Sequence, residues 1–584
     1  MNAGALAGLV LPLVLNTAWA QEPPLRLKDL QRCGDLLAPD SLSYCLRSEG
    51  LRDGNLHVML AGKPVTVKRE APNRLRLTLN GEEHRSGALW LEQEGRQSNP
   101  VWLTLNRSHV LAAGPDEVVK NMDGQTTYLD LVSLIIEEKH DGLKETRRLA
   151  ERYGAEVVGA IPPLNTYQLR LPVKNLTERD AMVLRLGNEV GVDAIVIEES
   201  GAEEPLEEDQ DAKPRNSEWI SNRFLDAVAF YRHRLTSSRD RIQTTPVRIG
   251  IIERDVDFDA AEFIDYLGDC DPRTPRTPRT CVYARDADSP DQHGTTVTGI
   301  LAARNEDPED SGFLSALEEA GSGFEVIVER NSDAGITANV AASVNLVEDG
   351  VRVLNWSWGI HRIGTLDIEG EEVDSLIRSG IAMSGYEELL EEFFLWLRRE
   401  HPDVLVVNSA GNGSARSSQD DYRLPSSFIT EQLLVVGGHQ RNHDREVAVD
   451  HPEYVTRRRS SNLDQRVDIT ASACTRAATL EKGKRGDIHC GTSYATPMVT
   501  GVVGAILSIN PSLEPAQVRE LLRRSAMTIG RDSDFEPAEA DDLTAPILPS
   551  ERGYQLDDRD IGRSARLDMR KALELTVESL QQVR

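Results

Sequence analysis

Three stretches of this chain put reactive side chains just ahead of apolar runs. In "CGTSYATPMVTGVVGAIL", Ser493 follows Gly491 and Thr492 and opens a run that is apolar from Val499 to Leu507. Pro497 falls where the first turn of a helix tolerates it. A hydroxyl at a helix N-terminus, among small residues that let a substrate backbone approach, can attack a carbonyl once a base takes its proton. In "DQHGTTVTGILAA", His293 offers an imidazole, which titrates near neutral pH, again ahead of a small-residue helical run. In "VVNSAGNGS", Asn412 lies in a glycine-rich loop after an apolar strand, where its amide can donate to a developing oxyanion. Singly, each has a plain alternative: a helix-capping serine, a surface or structural histidine, an Asn-Gly turn.

A fourth stretch is acidic. "RIGIIERDVDFDA" reads as a buried strand, Val247–Ile252, followed at once by Glu253, Asp255, Asp257 and Asp259. One of these carboxylates could orient a histidine, or several could hold a cation. The spacing matches no calcium loop.

The elements that must position these groups follow from the pattern around them. From about residue 217, strands at Val247–Ile252, Val351–Asn355, Val404–Val407, Leu433–Val436 and Val467–Ile469 alternate with helical stretches. One of these is "YEELLEEFFLWLRREH", with Leu389, Leu390, Phe393, Phe394 and Leu397 on its apolar face. Such alternation predicts an α/β fold, a mainly parallel sheet covered by helices, with ligands at the carboxyl ends of its strands. Residues 121–200 read as β-α-β-β-α-β, a split βαβ unit, with Gly154 ending the first helix and Thr177 capping the second. Residues 21–120 read as a small β-rich domain with no assignable chemistry. Between the last two units, "GAEEPLEEDQDAKPRN" at 201–216 reads as an exposed acidic linker open to proteolysis.

The 584 residues carry 95 acidic against 66 basic side chains, a net charge of −29. That balance argues against nucleic acid or an anionic membrane as partner. Residues 1–20 read as a signal peptide: "ALAGLVLPLVL" is too short to span a bilayer, and Ala18-Trp19-Ala20 fits a cleavage site before Gln21. No Lys or Arg precedes the apolar run. No later stretch reads as a membrane span. The six cysteines cluster as Cys33 with Cys45, Cys270 with Cys281, and Cys474 with Cys490, which suggests three short disulfide loops and an oxidising, secreted or periplasmic location.

Taken together and in chain order, acid then histidine then serine, these segments resemble the subtilisin-like serine peptidases (subtilases). "HGTTVTG" is similar to the family's histidine motif and "GTSYATPMVTG" to its serine motif; "NSAGN" resembles the oxyanion segment. "VRVLNWSWG" resembles the strand that pairs with the substrate backbone, which implies substrate binding by Ser357 and Gly359. "RVDITASA" resembles the strand before the serine loop, and "SARLDMRKALEL" the closing helix. The likeness spans 217–576, leaving 577–584 as a tail.

The resemblance implies an exported serine endopeptidase acting on protein or peptide, with Ser493 as nucleophile, His293 as base, and Asn412 with the Ser493 N–H at the oxyanion. It implies no cofactor for the chemistry; structural calcium is not assignable. It also implies that the split unit is an inhibitory propeptide, a partner of the enzyme, and that 201–216 is cut on activation. The departure is the acid. A gapless alignment places Glu253 at the acid position, Asp255 where the family has glycine, and Asp257 at the motif's second acid. Asp255 is the rival if the turn differs or if it takes a left-handed conformation. A catalytically inactive relative that binds peptides or partners is the alternative function. "PRTPRTPRT" at 272–280 reads as a loop whose arginines would favour acidic substrates if it borders the groove.

Overall fold

In the N-terminal unit, alternating residues such as Leu42, Tyr44 and Leu46 turn inward, and two antiparallel sheets close over them. One sheet runs Arg26–Arg32, Leu42–Glu49, Arg74–Leu79, Val67–Ala71. The other is built on Gly87–Gln93, flanked by His57–Leu60 and Val101–Leu103. Cys33 and Cys45 form a disulfide here. The computed structural model describes residues 23–33, 42–79, 83–121, 126–200, 207–208, 219–236, 242–260, 262–263, 279–288, 292–304, 311–317, 323–330, 335–361, 376–412, 423–443, 445–458, 460–462, 467–478, 486–529 and 565–582. The signal-like segment, Cys270, most of the "PRTPRTPRT" loop and most of the acidic linker lie outside them.

The split unit has β1 (Thr126–Ile136), α1 (Gly142–Tyr153), β2 (Glu156–Ile161), β3 (Thr166–Arg170), α2 (Leu176–Leu186) and β4 (Val192–Ser200). All pairings are antiparallel, in the order β4-β1-β3-β2. Gly154 closes α1 in the left-handed region at φ 68°. The cap of α2 is Asn175, not Thr177: the Asn175 side chain accepts from the Glu178 N–H, and Thr177 is already inside the helix.

The third unit is α/β. Its sheet contains β5 (Val247–Glu253), β6 (Thr280–Tyr283), β7 (Phe324–Arg330), β8 (Val353–Trp356), β9 (Leu405–Ser409), β10 (Leu433–Arg441) and β11 (Ile469–Ser472). The order is β6-β7-β5-β8-β9-β10-β11 and every neighbouring pair is parallel. Among the described residues, only Val455–Arg457, on the far end of β10, joins antiparallel. Helices α3 (Gln292–Ala302) and α6 (Thr492–Ile509) pack on one face; α4 (Gly335–Glu348) and α5 (Leu376–Glu400) pack on the other. The anticipated apolar face of α5 is buried throughout. Among the described residues Thr492–Ile509 is long and apolar enough to cross a membrane, but all of it is buried, which marks it as a core helix.

The split unit lies on α4 and α5. Ile135, Ile161, Leu164 and Val196 share a core with Ile336, Val340, Tyr386 and Leu389. The Glu198 carboxylate caps α4, accepting from the N–H groups of Ile336 (3.1 Å) and Thr337 (2.9 Å). The N-terminal unit docks elsewhere, on the β6 edge. Lys28 Nζ donates to Asp286 Oδ2 at 2.6 Å and to the Ala287 carbonyl at 2.8 Å. The Asp286 N–H donates to the Leu27 carbonyl at 2.9 Å.

Candidate active site

Glu253 is the last residue of β5, an interior strand of the sheet, and is 1% exposed. Its Oε2 lies 3.0 Å from His293 Nδ1. His293 stands at the start of α3, and that helix abuts the acidic loop closely. A Cβ on Gly294 would come within 2.8 Å of the Arg254 carbonyl oxygen, so the approach requires glycine. Directly after it, Thr295 Oγ1 accepts from the Asp257 N–H at 3.0 Å. The loop that follows the carboxylate is thus fastened to the helix that carries the imidazole. The His293 ring also packs against Tyr494, with centroids 5.5 Å apart.

The four acids occupy different surroundings. Glu253 is buried at the imidazole. Asp255 is half-buried, its carbonyl facing Gly294. It is not among the described non-glycine residues with positive φ, so the turn itself differs from one that demands glycine. Burial pushes the Asp257 carboxyl above its ordinary pKa, and its Oδ1 accepts from the Asp259 N–H. Asp259 is exposed and pairs with Arg26 of the N-terminal unit at 3.2 Å.

Ser493 stands in the first turn of α6, 8% exposed. The disulfide Cys474–Cys490 holds the preceding strand Ile488–Cys490 to its antiparallel partner Cys474–Arg476. Asn412 is oriented by α6: its Oδ1 accepts from the Thr492 N–H at 2.9 Å and from Thr492 Oγ1 at 3.2 Å. This engages the amide oxygen, so the Nδ2 donors lie on the opposite arm of the amide. Gly411 takes φ 99°, a region glycine enters freely, and its N–H donates to Thr492 Oγ1 at 3.1 Å.

The Subtilase family profile matches residues 247–560, and the matched span includes the Glu253–His293 pair, Asn412 and Ser493. The chain belongs to the subtilase family. A probable subtilase-type serine protease of Deinococcus radiodurans is 27% identical over 244 residues, 40% of this chain and 28% of that protein. Fervidolysin of Fervidobacterium pennivorans is 25% identical over 281 residues, 45% of this chain and 36% of its own. The chain therefore spans only about a third of the length of either relative. The crystal structure of fervidolysin superposes with a TM-score of 0.48 at 14% identity, covering 82% of this chain and 64% of that one.

Sequence reasoning on this subtilase missed the polar scaffold under the nucleophile. Ser357, expected only to meet substrate, donates from Oγ to the Ser493 carbonyl at 3.0 Å. Asn355 Nδ2 donates to the same Ser357 Oγ at 3.0 Å, and Asn355 Oδ1 accepts from Thr500 Oγ1 at 2.9 Å. Asn408 Nδ2 donates to the carbonyls of Trp356 (2.8 Å) and Trp358 (2.9 Å), tying β9 to the stretch on either side of Ser357. The available signal was polar residues interrupting apolar strands: Asn355 and Asn408 sit in otherwise hydrophobic runs and need partners once buried. Gly359 is occupied from behind, since a Cβ there would meet the Arg423 guanidinium carbon at 2.1 Å.

One further backbone contact concerns the acidic linker. Glu207–Glu208 forms a short strand antiparallel to Ile488–Cys490, with Glu207 opposite Cys490. That places linker backbone three residues from Ser493 along the partner strand.

Proposed function

We propose that this subtilase is an exported serine endopeptidase made as a proenzyme. Ser493 attacks the peptide carbonyl; His293 accepts its proton and returns it to the leaving amine. Glu253 accepts a hydrogen bond from His293 Nδ1–H, which presents Nε2 as the base and stabilises the imidazolium that forms. Asn412 Nδ2 and the Ser493 N–H receive the oxyanion, and the positive end of α6 supports its charge. Ser357 and Gly359 border the bound peptide. The observation that carries this reading is the 3.0 Å contact between Glu253 Oε2 and His293 Nδ1, which supports Glu253 over Asp255 as the acid.

The split unit is the inhibitory prosegment in this reading. It covers α4 and α5 rather than the sheet edge, and the pairing of Glu207–Glu208 with Ile488–Cys490, the strand before the nucleophile loop, supports a linker that reaches the site. Cleavage within 201–216 releases the site. The two disulfides suit an oxidising compartment. A fluorophosphonate probe tests the reading: it should label Ser493 in protein cut at the linker, and the label should vanish in Ser493→Ala. Absence of labelling in cut wild-type protein would refute catalysis.

A further inference from the structure

The N-terminal unit holds the catalytic unit through two patches that owe nothing to the acidic linker. At the first, beside β6, the buried Asn99 amide bridges the two units. Its Nδ2 donates to the Leu27 carbonyl at 3.0 Å and to the Ala284 carbonyl at 2.9 Å, and its Oδ1 accepts from the Leu27 N–H at 2.7 Å. The Ala284 N–H donates to the Pro100 carbonyl at 3.0 Å. At the second, just past the end of α4, Trp102 Nε1 donates to Asp349 Oδ2 at 2.8 Å and Asn106 Nδ2 to Asp349 Oδ1 at 2.9 Å. Asn345 Nδ2 donates the other way, to the Ser108 carbonyl at 2.7 Å. Trp102 is buried in the apolar core of α4 and α5 and meets Tyr283 edge to face. Polar groups paired across a shared apolar core mark an interface that holds without a covalent link.

The same unit also grips the split unit. His109 and Ala160 exchange backbone hydrogen bonds at 2.7 Å, and the Leu111 N–H donates to Gln168 Oε1 at 2.7 Å. The chain then runs on to β1. A cut within 201–216 severs the covalent path from the split unit to the catalytic unit. It leaves the path from the split unit to the N-terminal unit intact. A split unit that undocks from α4 and α5 is therefore still tied to a docked neighbour, at an effective concentration of about millimolar for a short flexible tether.

We propose that the N-terminal unit stays on the catalytic unit after the linker is cut, as the second chain of the working enzyme, and keeps the split unit with it as a tethered inhibitor. The proposal rests on the peptidase reading above for the inhibitor's role, and not for the docking. The docking is tested in full-length Ser493→Ala protein that carries a recognition sequence for an added site-specific protease in 201–216, alone or with a second in 122–125. After the single cut, size-exclusion chromatography at pH 8 should keep both fragments in one peak, eluting earlier than at pH 5 as the undocked split unit extends. After both cuts, the N-terminal unit should stay in the catalytic peak while the split unit leaves at pH 8. An N-terminal fragment in a peak of its own after either digestion would overturn the proposal. Asn99→Ala combined with Trp102→Ala should free that fragment, and its retention would overturn the assignment to these two patches. If this variant does not fold, the digestions with both patches intact still decide. With Ser493 restored, the activity per molecule of linker-cut protein should stay constant over about a hundredfold dilution, whereas the doubly cut protein should gain activity as its inhibitor is diluted away. Linker-cut protein that gains activity on dilution would overturn the tether. No activity in any form would sink the peptidase reading and leave the docking result standing.

Discussion

Glu253 Oε2 meets His293 Nδ1 at 3.0 Å from the end of an interior strand, with a side chain one methylene longer than the aspartate the family motif leads one to expect. The turn that follows does not demand glycine: Asp255 stands where the motif has one and does so without positive φ. Glu253→Gln keeps the size but no longer provides a carboxylate to accept the Nδ1 proton. The expected result is a fall in kcat on the order of 10⁴ with KM little changed, as an acid-to-amide change gives in another serine peptidase fold. Asp255→Asn should cost far less. Steady-state kinetics on the pair decides the assignment, and a larger loss in Asp255→Asn would reverse it.

Asn412 is held by its oxygen, through Thr492, and the proposed oxyanion role falls to its nitrogen arm. Asn412→Leu removes the donor and should lower kcat by about 100- to 1,000-fold with substrate affinity largely kept. Thr492→Val should act in the same direction more weakly, since it removes the Oγ1 contacts to Asn412 and Gly411 but leaves the Thr492 N–H in place. Equal losses in KM and kcat would point to a binding role instead.

The sequence made the family legible through the small residues around Ser493 and His293 and the strand end before Glu253, all within the span that matches the Subtilase family. It also made the parallel sheet legible through alternating strands and helices. Two of the parallel sheet strands escaped, besides the antiparallel Val455–Arg457. Thr280–Tyr283 is short, and Phe324–Arg330 mixes Glu325 and Glu329 into its apolar pattern. Both lie on one side of β5, where the N-terminal unit covers the edge. The docking itself was illegible, because Lys28 and Asp286 lie more than 250 residues apart and meet only through the tertiary fold. The disulfides Cys33–Cys45 and Cys474–Cys490 were readable from clustering; Cys270 lies outside the described residues.

The interface between the split unit and α5 should respond to pH. Asp193 of β4 and Glu388 and Glu392 of α5 bring carboxylate oxygens within 4.8 Å of one another, with Glu391, Glu138 and Arg399 nearby. Burial, then the charge of Asp193, pushes Glu388 up to about 7. A carboxyl raised in the docked state favours docking at low pH, where it is protonated. That advantage declines as pH rises from the ordinary carboxylate range through about 7. Glu198, also raised by burial, acts in the same direction. After the linker is cut, the split unit should stay bound at pH 5 and dissociate more readily at pH 8, read by size-exclusion chromatography. Asp193→Asn should flatten the difference. Tighter association at pH 8 would contradict this account.

The N-terminal unit should stabilise the catalytic unit, and its grip on the acidic loop is specific. Lys28 holds Asp286, whose Oδ1 accepts from the Phe258 N–H at 3.0 Å; the neighbouring Asp257 N–H reaches Thr295, two residues beyond His293. Both members of the Lys28–Asp286 pair are largely buried. Lys28→Met strands the Asp286 carboxylate, and removing one partner of a buried pair costs about 3–5 kcal/mol. The remaining contacts of Asp286 with the Phe258 N–H and with Arg26 Nε at 3.6 Å hold the loss toward the lower end. Urea denaturation should show that drop, and kcat should fall several-fold as the loop behind Glu253 loosens, with KM nearly constant. Lys28→Arg keeps the charge and should restore most of both. A variant with wild-type stability and kcat would mean that the N-terminal unit merely rests against the sheet edge.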